Sequence, residues 1–319
     1  MGTVSGIDKS KPDTAGHRRF TGLSLMWEVQ YAGERGSPRK STDQPIFSNH
    51  STKTEDRIRK SMTIMPDATL DSLYRYPVKG LSPESIPMTA LTEGQTLPSD
   101  RRYAIENGPI GFDPDHPRYF PKIRFLMLMR NERLAALQTR YDDFSHVLSI
   151  SDKTSEVARG NLETACGRAI IEEFFARHFA NELRGPPKIL EAPGHSFSDV
   201  AAKVVSIINL ASVSAIENIV GRAVDPLRFR GNLYVKGWSA WLERGLIGRE
   251  LKIGGVRLKI VKEVVRCAAV NVDPVTAMRD LNLPRSMVQA FGHDFCGLYG
   301  QVIAGGTIAP GDTIEIVGE

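Results

Sequence analysis

One arginine and one thiol interrupt an apolar, β-branched run between Val264 and Pro274. Arg266 and Cys267 are adjacent in this run, which closes on an Asp273-Pro274 turn. Because proline cannot donate to a strand ladder and restricts the residue before it, the pattern predicts a strand that ends at Pro274. Loops after strands often present reactive groups, whereas a lone cysteine is more commonly a small buried hydrophobe. From the residues alone, both interpretations of Cys267 stay open.

Length and composition indicate a globular chain with room for two ordinary domains. The 319 residues are 41% hydrophobic and 24% charged, which is typical of a protein that buries a sizeable core. The three cysteines lie far apart, form no disulfide framework and favour a reducing compartment. No apolar run approaches the roughly 20 residues that cross a bilayer, and the N-terminus lacks the apolar segment of a secretory signal. We therefore expect a cytoplasmic protein without a membrane span.

The net charge of +4 belongs to the N-terminal segment. Residues 1–60 contain eleven Lys/Arg and seven Asp/Glu, whereas the remaining chain contains thirty of each sign. Proteins that bind nucleic acids usually carry a clustered basic face. The formally neutral body therefore predicts no nucleic-acid partner.

Residues 1–65 have the composition of a disordered extension. They are rich in Gly, Ser, Thr, Pro and basic residues, and such segments bury too little apolar area to offset the entropy of ordering. Seven acidic residues argue against a transit peptide. An alternative is that Met62 or Met65 is the true start of the protein.

Residues 66–193 carry strand patterns and one helix. Leu70–Val78 alternates and is rich in aromatic residues, and short apolar runs recur at strand spacing over residues 125–150. Residues 164–179 have helical periodicity instead, and Pro186-Pro187 prevents its continuation. This pattern predicts a compact β domain over residues 66–193 with a helix near 164–179.

Residues 194–319 return mainly to β structure. A helix is predicted over residues 211–220, closed by Gly221 just past its end. A strand is predicted over residues 229–235, and Gly254-Gly255 predicts a two-residue hairpin turn. Many short strands with Gly/Pro turns favour a barrel-like β fold with a few helices packed outside it. The predicted fold class is therefore β-rich α+β.

Five separated motifs, in the same order and at plausible distances, resemble one family. They are Tyr76-Pro77-Val78-Lys79, Asp100-Arg101, Phe229-Arg230-Gly231-Asn232, Arg266-Cys267 with Asp273-Pro274, and Gly306-Thr307-Ile308 with Gly311-Asp312. Together they resemble the MOSC proteins (molybdenum cofactor sulfurase C-terminal domain), and among these the amidoxime-reducing components and the bacterial hydroxylaminopurine-detoxifying proteins. The resemblance spans residues 70–317. It implies a MOSC β-barrel with peripheral helices over residues 194–319 and a smaller N-terminal β-barrel-like domain over residues 66–193.

The resemblance also implies a cofactor site. Cys267 occupies the position of the protein ligand to molybdenum, and a thiolate is a soft ligand suited to a metal held by dithiolene sulfurs. Arg266 would favour the thiolate and could bond the pterin. Guanidinium groups can bond phosphate bidentately, and an amide can read a ring edge through both its donor and its acceptor. The matching positions for binding the molybdenum cofactor are Lys79, Arg101, Arg230, Asn232 and Arg266.

Each of these residues also has a structural interpretation. Lys79 and Arg101 could be solvated charges at strand ends, since such residues are mostly exposed. Arg230 and Asn232 could satisfy backbone groups beside a strand. Asp273 could be a turn former before Pro274, or a base or proton relay near the metal.

The resemblance implies an oxidoreductase that reduces N-hydroxylated compounds such as hydroxylamines, amidoximes and N-hydroxylated bases. The electrons would come from an external donor, namely a flavin reductase or a ferredoxin- or cytochrome-type protein. An alternative is a carrier of molybdenum cofactor or of sulfur on Cys267 without turnover of its own. The family's link to pyridoxal phosphate comes with sulfurase-linked members. A third interpretation is a β-barrel interaction domain with a buried Cys267 and no metal.

Overall fold

The computed structural model describes residues 68–317, and the extension predicted over residues 1–65 lies outside this range. Within residues 68–317 the chain forms fifteen strands: β1 (Ala68–Arg75), β2 (Glu84–Ser85), β3 (Thr89–Leu91), β4 (Ala104–Asn107), β5 (Gln138–Tyr141), β6 (Val147–Ser151), β7 (Glu156–Asn161), β8 (Pro187–Leu190), β9 (Val205–Asn209), β10 (Leu233–Lys236), β11 (Glu250–Ile253), β12 (Val256–Val265), β13 (Phe295–Ala304), β14 (Gly306–Ile308) and β15 (Thr313–Val317).

The same residues form three α-helices and several short 3₁₀ helices. The α-helices are α1 (Ala165–His178), α2 (Leu210–Val220) and α3 (Leu283–Phe291). The 3₁₀ helices are η1 (Lys122–Arg124), η2 (Glu132–Ala136), η3 (Ala180–Glu182), η4 (Pro226–Phe229), η5 (Leu242–Leu246) and η6 (Ala268–Asn271). None of the helices within residues 68–317 combines the length and the apolar composition needed to span a bilayer.

Seven strands close into a barrel. Their order is β1-β10-β9-β13-β12-β11-β15, and β15 pairs again with β1. All neighbours are antiparallel except β9 and β10, which are parallel and connected through α2. All five residues of β9 are buried, as expected of a strand covered on both faces. The barrel interior is filled by branched aliphatic side chains such as Leu70, Ile207, Leu233 and Leu258.

A second, smaller group of elements surrounds another apolar core. Strands β5, β6 and β7 form an antiparallel meander, and β4 pairs with β8. Helix α1 covers them, with Ile171, Phe174 and Phe175 buried. The Thr164 side chain accepts the Gly167 N–H at 3.0 Å and thereby caps the N-terminus of this helix. The helix predicted near residues 164–179 is therefore present.

Two predicted strands differ from the structure around the expected site. The strand that was expected to end at Pro274 ends at Val265, where the pairing with β13 stops at Phe295. The chain then turns into η6, so Cys267 lies between a strand and a 3₁₀ helix. The predicted strand over residues 229–235 begins only at Leu233, because Arg230 adopts a left-handed conformation with φ of 51° after η4. Both differences place functional candidates in turns at the barrel rim.

Candidate active site

A cleft of about 250 Å³ lies between the barrel rim and the loops that precede β4 and β5. It brings together six of the seven residues that the sequence predicted for the site: Lys79, Arg101, Arg230, Asn232, Arg266 and Cys267. The polypeptide places them on separate loops, since Lys79 and Arg101 follow β1 and β3, whereas Cys267 follows β12. Asp273, the seventh residue, does not line the cleft.

The cleft is strongly cationic although the body of the chain is formally neutral. Seven Lys/Arg residues and three carboxylates line it: Lys79, Arg101, Lys122, Arg228, Arg230, Lys262 and Arg266, with Asp100, Asp199 and Glu263. A concave site lined by one sign of charge raises the local concentration of ions of the opposite sign. The cleft therefore favours an anionic ligand.

Arg101 and Arg230 both stack on the ring of Tyr76. Their guanidinium carbons lie 4.3 Å and 4.2 Å from the ring centroid. Both arginines have φ of 51°, a conformation that is uncommon for residues other than glycine and that concentrates at functional sites. Arg101 is fixed further by Asp100 at 2.7 Å and by donation to the Arg230 carbonyl at 2.9 Å. One aromatic ring therefore contacts both guanidinium groups.

The two arginines differ in what remains available for a ligand. Arg101 is paired with Asp100, whereas the Arg230 guanidinium donates no hydrogen bond to any residue within 68–317. Burial lowers the pKa of Arg230 to about 10, and the neighbouring Arg101 contributes to this shift. An anion bound at Arg230 would relieve both effects, so the guanidinium is poised to bind one.

Lys79 and Lys122 share the carboxylate of Asp199. The Lys79 ammonium is buried and donates to Asp199 at 2.5 Å and to the Phe197 carbonyl at 2.8 Å. Burial lowers the pKa of Lys79, and Asp199 partly offsets this effect. Burial alone would raise the pKa of Asp199, but Lys79 and Lys122 hold it well below its usual range. Asp199 is therefore a carboxylate between two ammonium groups.

Lys122 connects this cluster to the thiol. Its ammonium nitrogen lies 3.2 Å from the sulfur of Cys267 and 3.4 Å from Asp199. Burial would lower the pKa of Lys122, yet Asp199 and Cys267 together raise it. The cationic ammonium is thus retained beside the sulfur. Lys122 is the first residue of η1, which begins directly after Pro121.

The side chains of Arg266 and Asn232 form hydrogen bonds that connect segments at the barrel rim. Arg266 donates to the carbonyls of Cys296 and Phe229, each at 2.7 Å. Asn232 accepts from the Ser206 hydroxyl at 2.8 Å and donates to the Tyr74 carbonyl at 3.2 Å. Both residues line the cleft, and these contacts agree with the structural interpretation considered for Asn232. Their predicted roles in cofactor binding stay predictions.

Asp273 is occupied by the turn that follows η6. One carboxylate oxygen accepts the N–H groups of Val275 and Thr276 at 2.9 Å and 2.8 Å. The other accepts from the buried Arg228 at 2.7 Å. Asp273 therefore shapes the turn and neutralises Arg228, and no contact in residues 68–317 links it to Cys267. Its predicted role as a base stays a prediction without a supporting contact.

Sequence reasoning did not identify Lys122, Asp199 or Arg228 as site residues. Lys122 directly follows Pro121, and Asp199 lies in an irregular segment, so neither belongs to a motif. Only the tertiary fold brings Lys122 within hydrogen-bond distance of Cys267, and Asp199 within hydrogen-bond distance of Lys79. Within residues 68–317 no three His, Cys, Asp or Glu side chains cluster as a metal site.

No curated protein matches the chain, whereas several solved structures do. The YUAD protein from Bacillus subtilis is 14% identical with a TM-score of 0.38, and the match covers 78% of this chain and 94% of that chain. YiiM from Geobacillus stearothermophilus is 19% identical with a TM-score of 0.29, and YiiM from Escherichia coli is 17% identical with a TM-score of 0.28. Each YiiM match covers 36% of this chain and 54% of that chain, about half its length.

Two family models match adjoining parts of the chain. The MOSC N-terminal beta barrel domain matches residues 67–175, and the MOSC domain matches residues 175–315. The resemblance inferred from the five motifs is thereby confirmed, as is the predicted β-rich fold with its N-terminal β domain. The predicted domain boundary at residues 193/194 stays a prediction. The chain belongs to the MOSC-domain family, with the N-terminal barrel domain and the MOSC domain in one polypeptide.

Proposed function

We propose that the protein is a molybdenum-cofactor enzyme that reduces N-hydroxylated compounds. The observation that carries this proposal is a thiol, Cys267, in the wall of a cationic cleft that also contains the uncommitted guanidinium of Arg230. A soft sulfur donor suits the metal, and a planar cationic donor suits a phosphate. Membership of the MOSC family supports a cofactor of this class.

The residues of the cleft fit an anionic pterin with a metal-binding dithiolene. Arg230 offers guanidinium donors with no hydrogen-bond partner in residues 68–317, and Arg101 stacks on the same Tyr76 ring. These two would hold the phosphate of the cofactor. Cys267 is partly exposed, so its sulfur can reach a metal that enters from the cleft. Lys122 would remain within hydrogen-bond distance of that sulfur.

When bound, the cofactor supplies two-electron chemistry that removes the oxygen from an N–O bond. The overall balance is one N-hydroxylated substrate, two electrons and two protons giving the amine and water. Cys267 would hold the metal end of the cofactor and the arginines would orient its anionic end, so that the substrate binds next to a cofactor in a fixed position. Lys122 keeps a positive charge beside the sulfur. We further propose that a separate flavin-, ferredoxin- or cytochrome-type protein supplies the electrons.

The experiment compares wild type with Cys267→Ala, both expressed in a host that makes molybdenum cofactor. Molybdenum and pterin contents are measured together with hydroxylamine and benzamidoxime reduction by a chemical reductant. We expect near-stoichiometric metal and turnover in wild type, and loss of both in the variant. Cys166→Ala is the matched control, because Cys166 is exposed on α1 and lies outside the cleft.

Other outcomes would separate the alternatives. Full metal content and full activity in Cys267→Ala would contradict the proposal. Bound cofactor that transfers to an apo-enzyme, without reduction of either substrate, would indicate the carrier. Absence of both metal and pterin from wild type would favour the interaction domain.

A further inference from the structure

The contact between Cys267 and Lys122 joins two distant segments of the cleft wall. The thiol sulfur and the ammonium nitrogen lie 3.2 Å apart, although the two residues are separated by 145 positions in the chain. Both residues line the cleft. Cys267 is partly exposed, and the side chain of Lys122 is 29% exposed. Small solutes that enter the cleft can therefore reach both atoms of the pair.

A thiol next to an amine has an oxidation route that an isolated thiol lacks. Hydrogen peroxide converts a thiolate into a sulfenic acid, and a nitrogen within reach can then displace the oxygen to form a sulfenamide. Without such a nitrogen or a second thiol, the sulfenic acid is oxidised further to sulfinic and sulfonic acids, which thiol reductants do not restore. A nitrogen that is already at hydrogen-bond distance therefore decides which product forms.

The other two cysteines of the chain lack this combination of access and a neighbouring amine. Cys166 is exposed on α1, but no lysine within residues 68–317 is in hydrogen-bond contact with its sulfur. Cys296 is buried in β13, and burial raises the pKa of its thiol to about 12. Cys166 thus serves as an accessible thiol without an amine, against which the behaviour of Cys267 can be compared.

We propose that the cofactor-free protein forms a reversible sulfenamide bond between Cys267 and Lys122 when it meets hydrogen peroxide. The thiolate sulfur attacks one peroxide oxygen, the O–O bond breaks, and the departing hydroxide takes a proton from the Lys122 ammonium to give water. The amine nitrogen then bonds to the sulfur while the S–O bond of the sulfenic acid breaks. The oxygen leaves as a second water with a proton from the nitrogen. The sulfur loses two electrons, and the peroxide is reduced by the same two electrons.

The surroundings of Lys122 keep its nitrogen beside the sulfur. The carboxylate of Asp199 lies 3.4 Å from the Lys122 ammonium and is itself held by the buried Lys79. The flexible four-carbon stem of a lysine lets the nitrogen close the remaining distance to the sulfur. The bond would tie η1 to the segment between β12 and η6. It would also consume the thiol and one positive charge of the cleft.

The test uses the full chain, purified from a host that makes no molybdenum cofactor and treated with hydrogen peroxide. Remaining thiols are then alkylated, the protein is digested, and the peptides are identified by mass spectrometry. The sulfenamide predicts a Cys267 peptide joined to a Lys122 peptide, lighter than the two together by two hydrogen atoms. A thiol reductant should separate them.

Three variants identify the nitrogen. Lys122→Met removes it, whereas Lys122→Arg keeps the positive charge but offers a guanidinium, which is a poor nucleophile. Lys262→Met is the matched control, because Lys262 is an exposed lysine of β12 that lines the same cleft. We expect the joined peptides in wild type and in Lys262→Met, and their complete loss in both Lys122 variants. In those two variants Cys267 should accumulate sulfinic and sulfonic acids, as Cys166 does in every protein. Thermal unfolding before oxidation verifies that the variants are folded.

Two results would overturn the proposal. One is wild-type Cys267 that passes to sulfinic and sulfonic acids as fast as in Lys122→Met, without joined peptides. The other is a disulfide from Cys267 to Cys166 or Cys296, which the identity of the joined peptides reveals. Neither result depends on metal content or on reduction of N-hydroxylated compounds, so this test is independent of the proposed function. If Cys267 is the metal ligand, the bond would protect it from irreversible oxidation until the cofactor binds.

Discussion

The ammonium nitrogen of Lys122 lies 3.2 Å from the sulfur of Cys267 and 3.4 Å from the carboxylate of Asp199. A hydrogen bond to a ligating sulfur orients the ligand and tunes its donor strength, and such partners matter nearly as much as the ligand itself. The cleft thus contains the thiol of Cys267 and, next to it, the ammonium group of Lys122. This pair defines the metal end of the proposed site.

Lys122→Met should weaken metal binding. Replacing outer-shell partners of metal ligands typically lowers metal affinity by about 10–100-fold, and we expect the lower end of that range here. Lys122→Arg should retain much of the affinity, because a guanidinium can still donate to the sulfur. The molybdenum content of purified protein during dialysis against a chelator checks this expectation. Lys188→Met, at an exposed position on β8, is the control. Equal metal loss from both methionine variants would show that the contact is unimportant.

Arg230→Met should abolish most anion binding in the cleft without lowering stability. The guanidinium is buried, its pKa is lowered to about 10, and it makes no side-chain hydrogen bond within residues 68–317. Hydrogen bonds to charged groups contribute about 1.5–3 kcal/mol, so pyrophosphate affinity should fall by about tenfold or more. Calorimetric titration of pyrophosphate, together with urea unfolding, measures both properties. Arg140→Met, on an exposed position of β5, should leave them unchanged. Unaltered pyrophosphate binding in Arg230→Met would show that the anion binds at another place.

Asp199→Asn should destabilise the protein at neutral pH. The variant leaves the buried Lys79 ammonium without its carboxylate, and we expect a loss of about 1–3 kcal/mol, less than for a fully buried pair because Asp199 is half exposed. Urea unfolding across a pH series measures this deficit.

The pH dependence of the Asp199→Asn deficit follows from the two pKa shifts. The pKa of Lys79 is lowered by burial, so the cost of its unpaired charge declines as pH rises toward its ordinary value of 10.5. The pKa of Asp199 is also depressed, so its contribution in wild type is lost as pH falls below its ordinary value of 3.8 and through the folded pKa. The difference between the two proteins should therefore be largest near neutral pH. A deficit that is constant with pH would contradict the electrostatic explanation.

Asn232→Ala should destabilise the protein whether or not a cofactor is present. The side chain is 2% exposed and joins Ser206 to Tyr74 across three barrel strands. Removing it leaves several buried polar groups unpaired, which costs about 3 kcal/mol in total. Thermal unfolding of cofactor-free protein provides the measurement, and Asn218→Ala on the exposed face of α2 provides the control. A stable variant with weakened pterin binding would instead favour the role predicted from the motif.

The sequence was most informative where a residue type and its local motif were both distinctive. Arg230 and Asn232 belong to one motif, and the fold places both in the wall of the cleft. Lys122 and Asp199 could not be identified in this way, because their importance comes from contacts with residues more than a hundred positions away in the chain. Such contacts depend on the tertiary arrangement of loops, which carry no periodic signal.

Strand and turn boundaries near the site were predicted less accurately than the elements themselves. The run after Val264 has β propensity, yet pairing with β13 ends at Val265 and the remaining residues form a 3₁₀ turn. Propensity is overridden here because a strand needs a partner for its backbone groups. Helix α3 shows the converse case, since Pro284 near its start and Gly292 at its end are ordinary helix signals that the sequence analysis did not use.

The pairing of β1 with β15 determines when the barrel can close during folding. In this pairing Ala68 faces Ile314 across nearly the whole length of the described chain. Because β1 closes the barrel by pairing with β15, the ring of seven strands can close only after β15 has been synthesised. Lys79 and Arg101 follow β1, which also pairs with β10, and they line the cleft together with Arg230. The residues that line the cleft extend along the chain from Lys79 to Tyr299, so the cleft is complete only after β13 has been synthesised.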